Sequence, residues 1–478
     1  MNILGVGGLL PNGSAALIRD GKIVAAIEQV KVQRQRGTNS YPEAAIEECL
    51  RLGNLKPEDI QTIALITTDD PAILGALKAR FGSARVVQVD QAYAHAASAY
   101  YASPFNEAVV LMLDSHGDCR FTAKPRETGE DFTLEPPWCR PDSLAALYSR
   151  VTTLLGFTAG ADEHKVQWLS TSGAPRHTAL FEEVMKGAAL DLGSALPADI
   201  ASSLQAAVTK IALAYAGEAA NVCLAGGLAY NALLVSEFEK RYNVFVQPAA
   251  GNAGLALGAA LQVLGKHADA GNYCLGPSFG PEEIKQVLEN CKLSFRYMQT
   301  TNHVVASALD ALAENNIVAW MQGRMEYGPR ALGNRSILAS PLDPYSTENL
   351  NTYIKHREAF RKFAASVPEE LAAEYFEIGP NARHLATVSR VKPAHKQRFQ
   401  AALLGDDLIR VHAVREDDNP LYWKLLHQAG QRTGLPVLYN TSFNLFGEPL
   451  VCTPRDAVRS FYSSGIDALI VGNFVLQK

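Results

Sequence analysis

Three short stretches concentrate side chains suited to binding anions or amides. In Gly323-Arg324-Met325-Glu326-Tyr327-Gly328-Pro329-Arg330-Ala331-Leu332-Gly333-Asn334-Arg335-Ser336-Ile337, three arginines stand among three glycines and a proline. Guanidinium forks grip phosphate or carboxylate oxygens in pairs, and glycine lets the backbone approach the same oxygens. The second stretch, Lys355-His356-Arg357-Glu358-Ala359-Phe360-Arg361-Lys362-Phe363, reads by itself as the solvated face of an amphipathic element. The third, Tyr439-Asn440-Thr441-Ser442-Phe443-Asn444, sets the amides and hydroxyls of Asn440, Thr441, Ser442 and Asn444 around Phe443. They suit an amide or a nucleobase edge, or the capping of a turn.

Elements must carry these residues. Ile317–Met321 reads as a strand before the arginine loop, and Pro436–Leu438 as a strand before Tyr439. The N-terminal half has a hairpin pattern: apolar Ile3–Val6, the turn Pro11-Asn12-Gly13-Ser14, then Ala15–Ile18, Asp20-Gly21 and Ile23–Ile27. Helical segments follow at Pro42–Leu52 and Ala72–Phe81, around the strand Thr62–Thr67. Ala108–Leu113, Asp114-Ser115-His116-Gly117 and Cys119–Ala123 make a second hairpin. Strand Val222–Leu224 runs into Gly226-Gly227, and strand Val244–Val246 into Gly251-Asn252-Ala253-Gly254, each before a helix. This is an α/β pattern. Two hairpins facing a Gly-Gly helix start suit the phosphate clamp of an actin or sugar-kinase type fold. Periodicity lapses near Lys266–Ser278; beyond it a helix Pro281–Asn290, Leu293–Tyr297 and a new α/β pattern run to Lys478.

Composition narrows the class. The 478 residues carry 44 basic and 49 acidic side chains, a net charge of −5. That balance disfavours an extended nucleic-acid surface. With 47% hydrophobic residues the chain is globular, and its length suggests two to four domains. The small apolar stretch Ala253–Gly265 is too short to span a membrane, and Met1 is followed by an apolar strand without a basic leader. The seven cysteines lie far apart with no Cys-x-x-Cys, so neither a zinc ribbon nor a disulfide scaffold is expected, and the compartment reads as a reducing cytoplasm.

Together the three stretches resemble the O-carbamoyltransferase family, which includes nodulation-factor, tobramycin and cephalosporin carbamoyltransferases. The run from Glu326 to Ile337, then Lys355, Arg357-Glu358 and Phe360-Arg361, then Asn440–Asn444 with Gly447-Glu448-Pro449, carry the likeness. Ala94-His95-Ala96-Ala97-Ser98-Ala99, Asp162-Glu163-His164-Lys165, Asp199–Gln205, Gly226–Asn231 and Gly251–Gly258 extend it over nearly the whole chain. The resemblance implies an actin-like (RNase H-like, tRNA threonylcarbamoyl-transferase type) domain over 1–268 and a YrdC-like α/β domain over 276–478.

It also implies chemistry. The C-terminal domain would join carbamoyl phosphate to ATP, with Mg2+, as carbamoyl-adenylate, and the N-terminal domain would pass the carbamoyl group to an acceptor hydroxyl at a metal. Arg330, Asn334, Arg335, Lys355, Arg357, Arg410, Thr441, Ser442 and Asn444 would bind carbamoyl phosphate and ATP. Gly226, Gly227, Asn231 and Asn252 would bind the adenylate, the two glycines through backbone donors, with His95, His116 and Asp114 as catalytic groups.

The sequence departs from the family at the metal. Relatives carry a His-His-x-x-His run where this chain has Gln91-Ala92-Tyr93-Ala94-His95, and an aspartate where it has Asn252. A His-Asp pair near the start is replaced by Pro11-Asn12. Only His95 and Asp114 remain of the expected set, so tightly held iron or zinc is not expected. His116 lies in the turn and is expected to face solvent. The short interval from Lys165 to Asp199 leaves the acceptor pocket open, or completed by another subunit. Three readings stand: a carbamoyltransferase of small-molecule hydroxyls, natural product or sugar, with an unusual transfer site; a paralogue serving as partner subunit of an active relative; and an adenylate former with another acyl donor or acceptor.

Overall fold

The computed structural model describes residues 1–9, 12–35, 41–125, 132–135 and 137–478, so Pro11 of the first turn lies outside the described residues. The chain folds as two units. The first holds Met1–Ala26, Asn39–Ala270 and Gly379–Asn381; the second holds Ile27–Thr38, Gly271–Ile378 and Ala382–Lys478.

The first unit contains two mixed sheets. One is ordered β3 (Lys22–Glu28), β2 (Ser14–Arg19), β1 (Asn2–Gly7), β4 (Thr62–Ile66), β5 (Arg85–Val89). Here β1 and β2 are antiparallel, with Gly7 opposite Ser14, while β4 runs parallel to β1. The other is ordered β11 (Asn243–Val246), β10 (Asn221–Ala225), β6 (Ala108–Asp114), β7 (Gly117–Pro125), β8 (Phe132–Leu134), with β9 (Trp138–Arg140) also on β7. Asp114 pairs with Gly117, so Ser115 and His116 form a two-residue turn. Helices Gln91–Tyr100 and Leu255–Leu264 pack against each other and against the sheets. Their approach requires Gly258, where an added Cβ would stand 1.9 Å from the Ala94 carbonyl oxygen.

One sequence expectation is overturned in this unit. Cys119 and Cys139 are directly opposed on β7 and β9 and form a disulfide. Their separation in sequence concealed a register set by strand pairing.

The second unit is built on one ten-stranded sheet, ordered β12 (Arg296–Tyr297), β21 (Phe474–Gln477), β20 (Ala468–Val471), β13 (Val318–Met321), β14 (Arg335–Ala339), β19 (Leu438–Ser442), β15 (Ala364–Pro368), β18 (Leu408–Val414), β17 (Ser389–Val391), β16 (Phe376–Glu377). Strand alternation gives each face its own character. Ala319, Ile337, Ala365, Ile409, Val411 and Tyr439 enter one core, and Trp320, Leu338, Leu438 and Val414 the other. The third chemistry-bearing stretch does not follow a strand ending at Leu438, as its Pro436–Leu438 run suggested. Tyr439–Ser442 are themselves strand, paired to β14 and β15.

Candidate functional site

In the second unit, the chemistry begins where one face of the sheet turns polar. Ala364 on β15 is in register with Arg410 on β18 and with Asn440 on β19, so these two side chains share the face of Ala364 on either side of it. Ser366 and His412, two residues further on, are paired on the same face, with Ser366 Oγ 3.3 Å from His412 Nδ1. Asn440 Nδ2 donates to the Ala331 carbonyl at 3.1 Å and to Ser366 Oγ at 3.2 Å.

Three further arginines converge on Arg410. A π-helix over Leu350–Lys355 ends at His356, which takes a left-handed conformation with φ 46°. The chain then turns back, the Arg357 amide donating to the Asn351 carbonyl at 3.2 Å, and enters β15 three residues after Arg361. Arg330 comes from the Gly-rich loop. Burial first, then the positive charges of Arg330, Arg357 and Arg361, hold the Arg410 guanidinium well below the ordinary arginine range. Arg357 is pulled down to about 9 by burial and by Arg361, against the opposing pull of Glu358. Glu358 Oε2 lies 3.6 Å from Arg361. Concentrated positive charge in a low-dielectric setting is costly until an anion neutralises it. The four arginines concentrate the positive charge that an anion would neutralise.

The other basic residues expected there are employed differently. Arg335 is fully buried and donates to the carbonyls of Gln322 at 2.6 Å, Gly323 at 3.2 Å, Asn334 at 3.2 Å and Pro277 at 3.1 Å. Asn334 bonds the Arg324 carbonyl and the Asn419 amide. Both shape the loop instead of facing its contents. Lys355, also buried, donates to the Ser442 carbonyl at 2.5 Å and to the Asn444 carbonyl and Oδ1 at 2.8 and 2.9 Å. Asn444 Oδ1 also accepts from Ser442 Oγ at 2.7 Å, so Ser442 and Asn444 brace their own turn. Thr441 is buried. Burial decides these roles, and the sequence pattern does not display burial. The same obscurity hid Glu326, whose Oε1 accepts from the amides of Leu332, Asn334 and Arg335.

In the first unit, Asp114 ends β6 and is buried. Its Oδ2 accepts the Gly227 amide at 3.1 Å and lies 3.9 Å from His95 Nε2; its Oδ1 lies 3.1 Å from His116 Nδ1. Burial raises the Asp114 pKa, but His95, His116 and the Gly227 amide outweigh it and leave the carboxyl lowered. His95 is fully buried, and burial pulls its pKa down against the attraction of Asp114. The sequence expects His116 to be a solvent-facing turn residue. Its side chain is 71% exposed, yet it is also paired with Asp114.

The adenylate-binding residues expected in this unit divide similarly. The Gly226 amide donates to the Ala250 carbonyl at 2.8 Å and the Gly227 amide to Asp114, so neither is a spare phosphate donor. Gly226 has φ 88°, and a Cβ there would stand 2.3 Å from the Leu113 carbonyl oxygen, which explains the glycine. Asn231 caps helix Ala232–Glu239 through the Leu234 amide and donates to Gln205, which also accepts from Tyr148. Asn252 is half-buried at the start of a short 3-10 turn.

The metal implied by the resemblance can be tested against these donors. Both Asp114 oxygens are engaged, and Gln91 and Asn252 offer only neutral amides. Among the described residues no three His, Cys, Asp or Glu side chains are arranged so as to hold a metal ion. The donor set does not fit a tightly held iron or zinc.

A family model for the carbamoyltransferase C-terminus matches residues 309–478, and one for the N-terminus matches residues 70–191. Nodulation protein NolNO of Sinorhizobium fredii is 31% identical across 98% of this chain and 80% of its own. The chain belongs to the carbamoyltransferase family. Nodulation protein NolO of Bradyrhizobium diazoefficiens is 33% identical over 80% of this carbamoyltransferase-family chain and 78% of its own. A 3'-hydroxymethylcephem-O-carbamoyltransferase of Amycolatopsis lactamdurans is 33% identical over 49% of this chain and 44% of its own. The C-terminal match spans Arg330, Arg357, Arg361 and Arg410, and the N-terminal match spans His95, Asp114 and His116. Among the described residues no helix is long and apolar enough to cross a membrane.

Proposed function

We propose that this protein is an ATP-dependent carbamoyltransferase that activates the carbamoyl group of carbamoyl phosphate as carbamoyl-adenylate and transfers it to a hydroxyl of a small-molecule acceptor, a natural product or sugar. In this reading residues 1–268 form an actin-like transfer domain and 276–478 a YrdC-like adenylating domain. The observation that carries it is the sheet register that sets Arg410 beside Ala364, three residues after Arg361, with Asn440 on the other side of Ala364 holding the Ala331 carbonyl next to Arg330.

The balance of activation requires one water. Carbamoyl phosphate and water give carbamate and inorganic phosphate; a carbamate oxygen then attacks the α-phosphorus of ATP, and pyrophosphate leaves. Two anions must meet, and the arginines lower that repulsion by neutralising phosphate oxygens. Mg2+ enters with the ATP phosphates.

Transfer breaks the bond between the carbamoyl carbon and the AMP oxygen. The acceptor oxygen attacks that carbon, AMP leaves, and the alcohol's proton needs a base. His116 suits this role. Asp114 fixes its Nδ1, and the exposed ring turns Nε2 away from that pairing. His95, buried and biased toward the neutral imidazole, supports Asp114 from the other side. Gln91 and Asn252 provide amide partners for the carbamoyl group.

ATP–pyrophosphate exchange and AMP release, each measured with and without carbamoyl phosphate, test the activation half. Carbamoyl-phosphate-dependent AMP release is expected, and its absence in folded protein removes the reading.

A further inference from the structure

The stretch that begins at Ile27, in the last two residues of β3, belongs to the second unit and lies outside both matched spans. It carries Glu28, Lys31 and Arg34, and all three are held by the loops that bear the chemistry. Lys31 Nζ is buried and donates to the carbonyls of Glu326 at 2.9 Å and Gly328 at 2.7 Å. It also lies 2.9 Å from Glu28 Oε1, which accepts the Gly328 amide at 2.8 Å. Arg34 donates to the carbonyls of Pro449 and Leu450, both at 2.6 Å, and to Glu448 at 3.2 Å.

These contacts fasten the arginine loop on one side of Arg330. On its other side Glu326 fastens the loop through the amides of Leu332, Asn334 and Arg335. Arg330 is the residue between the two anchors. A flexible loop would pay ordering entropy each time an anion bound, and a loop tied at both ends has paid it on folding.

From this arrangement we infer that Lys31 and Glu28 are positioning residues for the anion site, holding the 326–328 turn so that Arg330 meets a phosphate group beside Arg410. The inference rests on the proposed function for its physiological ligand, but its test does not. Removing Lys31 alone strands a buried carboxylate and risks the fold, so the informative variant is E28Q/K31M, which removes both charges and keeps the volume. Lys31→Arg is its conservative companion.

Inorganic pyrophosphate is titrated calorimetrically into the full chain and each variant, with thermal unfolding of the unliganded proteins alongside. The expected result is a pyrophosphate Kd raised on the order of tenfold in E28Q/K31M, with Lys31→Arg closer to wild type. A purely structural role would instead lower the melting temperature and leave the Kd of the folded fraction unchanged, and that result would overturn the inference. AMP release is scored separately. A wild type that binds pyrophosphate but releases no AMP with carbamoyl phosphate removes the proposed function, while the Kd comparison still decides the positioning role.

Discussion

Arg330 lies near enough to Arg410 for its charge to pull that guanidinium's pKa down, whereas Arg335, in the same loop, donates to the carbonyls of Gln322, Gly323, Asn334 and Pro277. One arginine adds charge to the basic cluster, and the other braces the loop that carries it.

That division sets the first prediction. Arg335→Ala empties a fully buried site and removes the hydrogen bonds that tie the Gln322, Gly323, Asn334 and Pro277 carbonyls together, and is expected to cost about 3 kcal/mol or more of folding stability. Arg410→Ala removes a repelling charge and is expected to unfold no earlier than wild type without ligand. It should, however, lose the stabilisation that pyrophosphate gives wild type, about 2.7 kcal/mol at a hundredfold excess over Kd. Thermal and denaturant unfolding with and without pyrophosphate check both halves; an Arg335→Ala protein of wild-type stability would refute the structural role.

Asp118 gives a pH prediction. Burial pushes its carboxyl from 3.8 up to about 7, against one favourable hydrogen bond from the Leu144 amide. Between those values the folded state holds a proton that the unfolded chain has released, so this group makes stability fall as pH rises through the window. The cost is fully present above about 7. Asp118→Asn is therefore expected to gain roughly 1–3 kcal/mol at alkaline pH and almost nothing below the ordinary carboxylate range. Equal gains at both extremes would show that titration is not the cause.

The metal prediction follows from the donor set. Purified protein is expected to carry well below one equivalent of iron or zinc by elemental analysis. A stoichiometric ion would make His95, Asp114 and His116 the first ligands to replace.

For transfer, His116→Ala is expected to slow carbamoylation of an acceptor by about 10²–10⁴-fold while AMP release with carbamoyl phosphate persists through hydrolysis of the adenylate. His95→Ala is expected to impair transfer with the same separation from AMP release. Parallel loss of both activities would place these residues in folding instead.

Much of the scaffold was legible because local chemistry fixes it. Asp20-Gly21 and the Asp114–Gly117 turn mark their hairpins, and Pro281 begins the helix that runs to Asn290. The Lys266–Ser278 break spans Ala270 and Gly271, but nothing in the sequence signalled that Ile27–Thr38 belongs to the second unit and Gly379–Asn381 to the first. What stayed hidden depends on long-range register or burial. The Cys119–Cys139 bond needs the β7–β9 pairing, and the anchoring of Lys31 joins residues almost three hundred positions apart. Arg335 and Lys355 have the residue type of anion binders, but carbonyl groups converge on them. Arg361 had no more prominence than its neighbours until the strap before β15 brought it to Arg410.

The most direct test is AMP release from ATP with carbamoyl phosphate present and absent, in wild type and in Arg410→Ala. The account predicts carbamoyl-phosphate-dependent AMP release by wild type and its loss in a folded Arg410→Ala protein. Wild-type AMP release that ignores carbamoyl phosphate, or an Arg410→Ala protein that matches wild type, would contradict it.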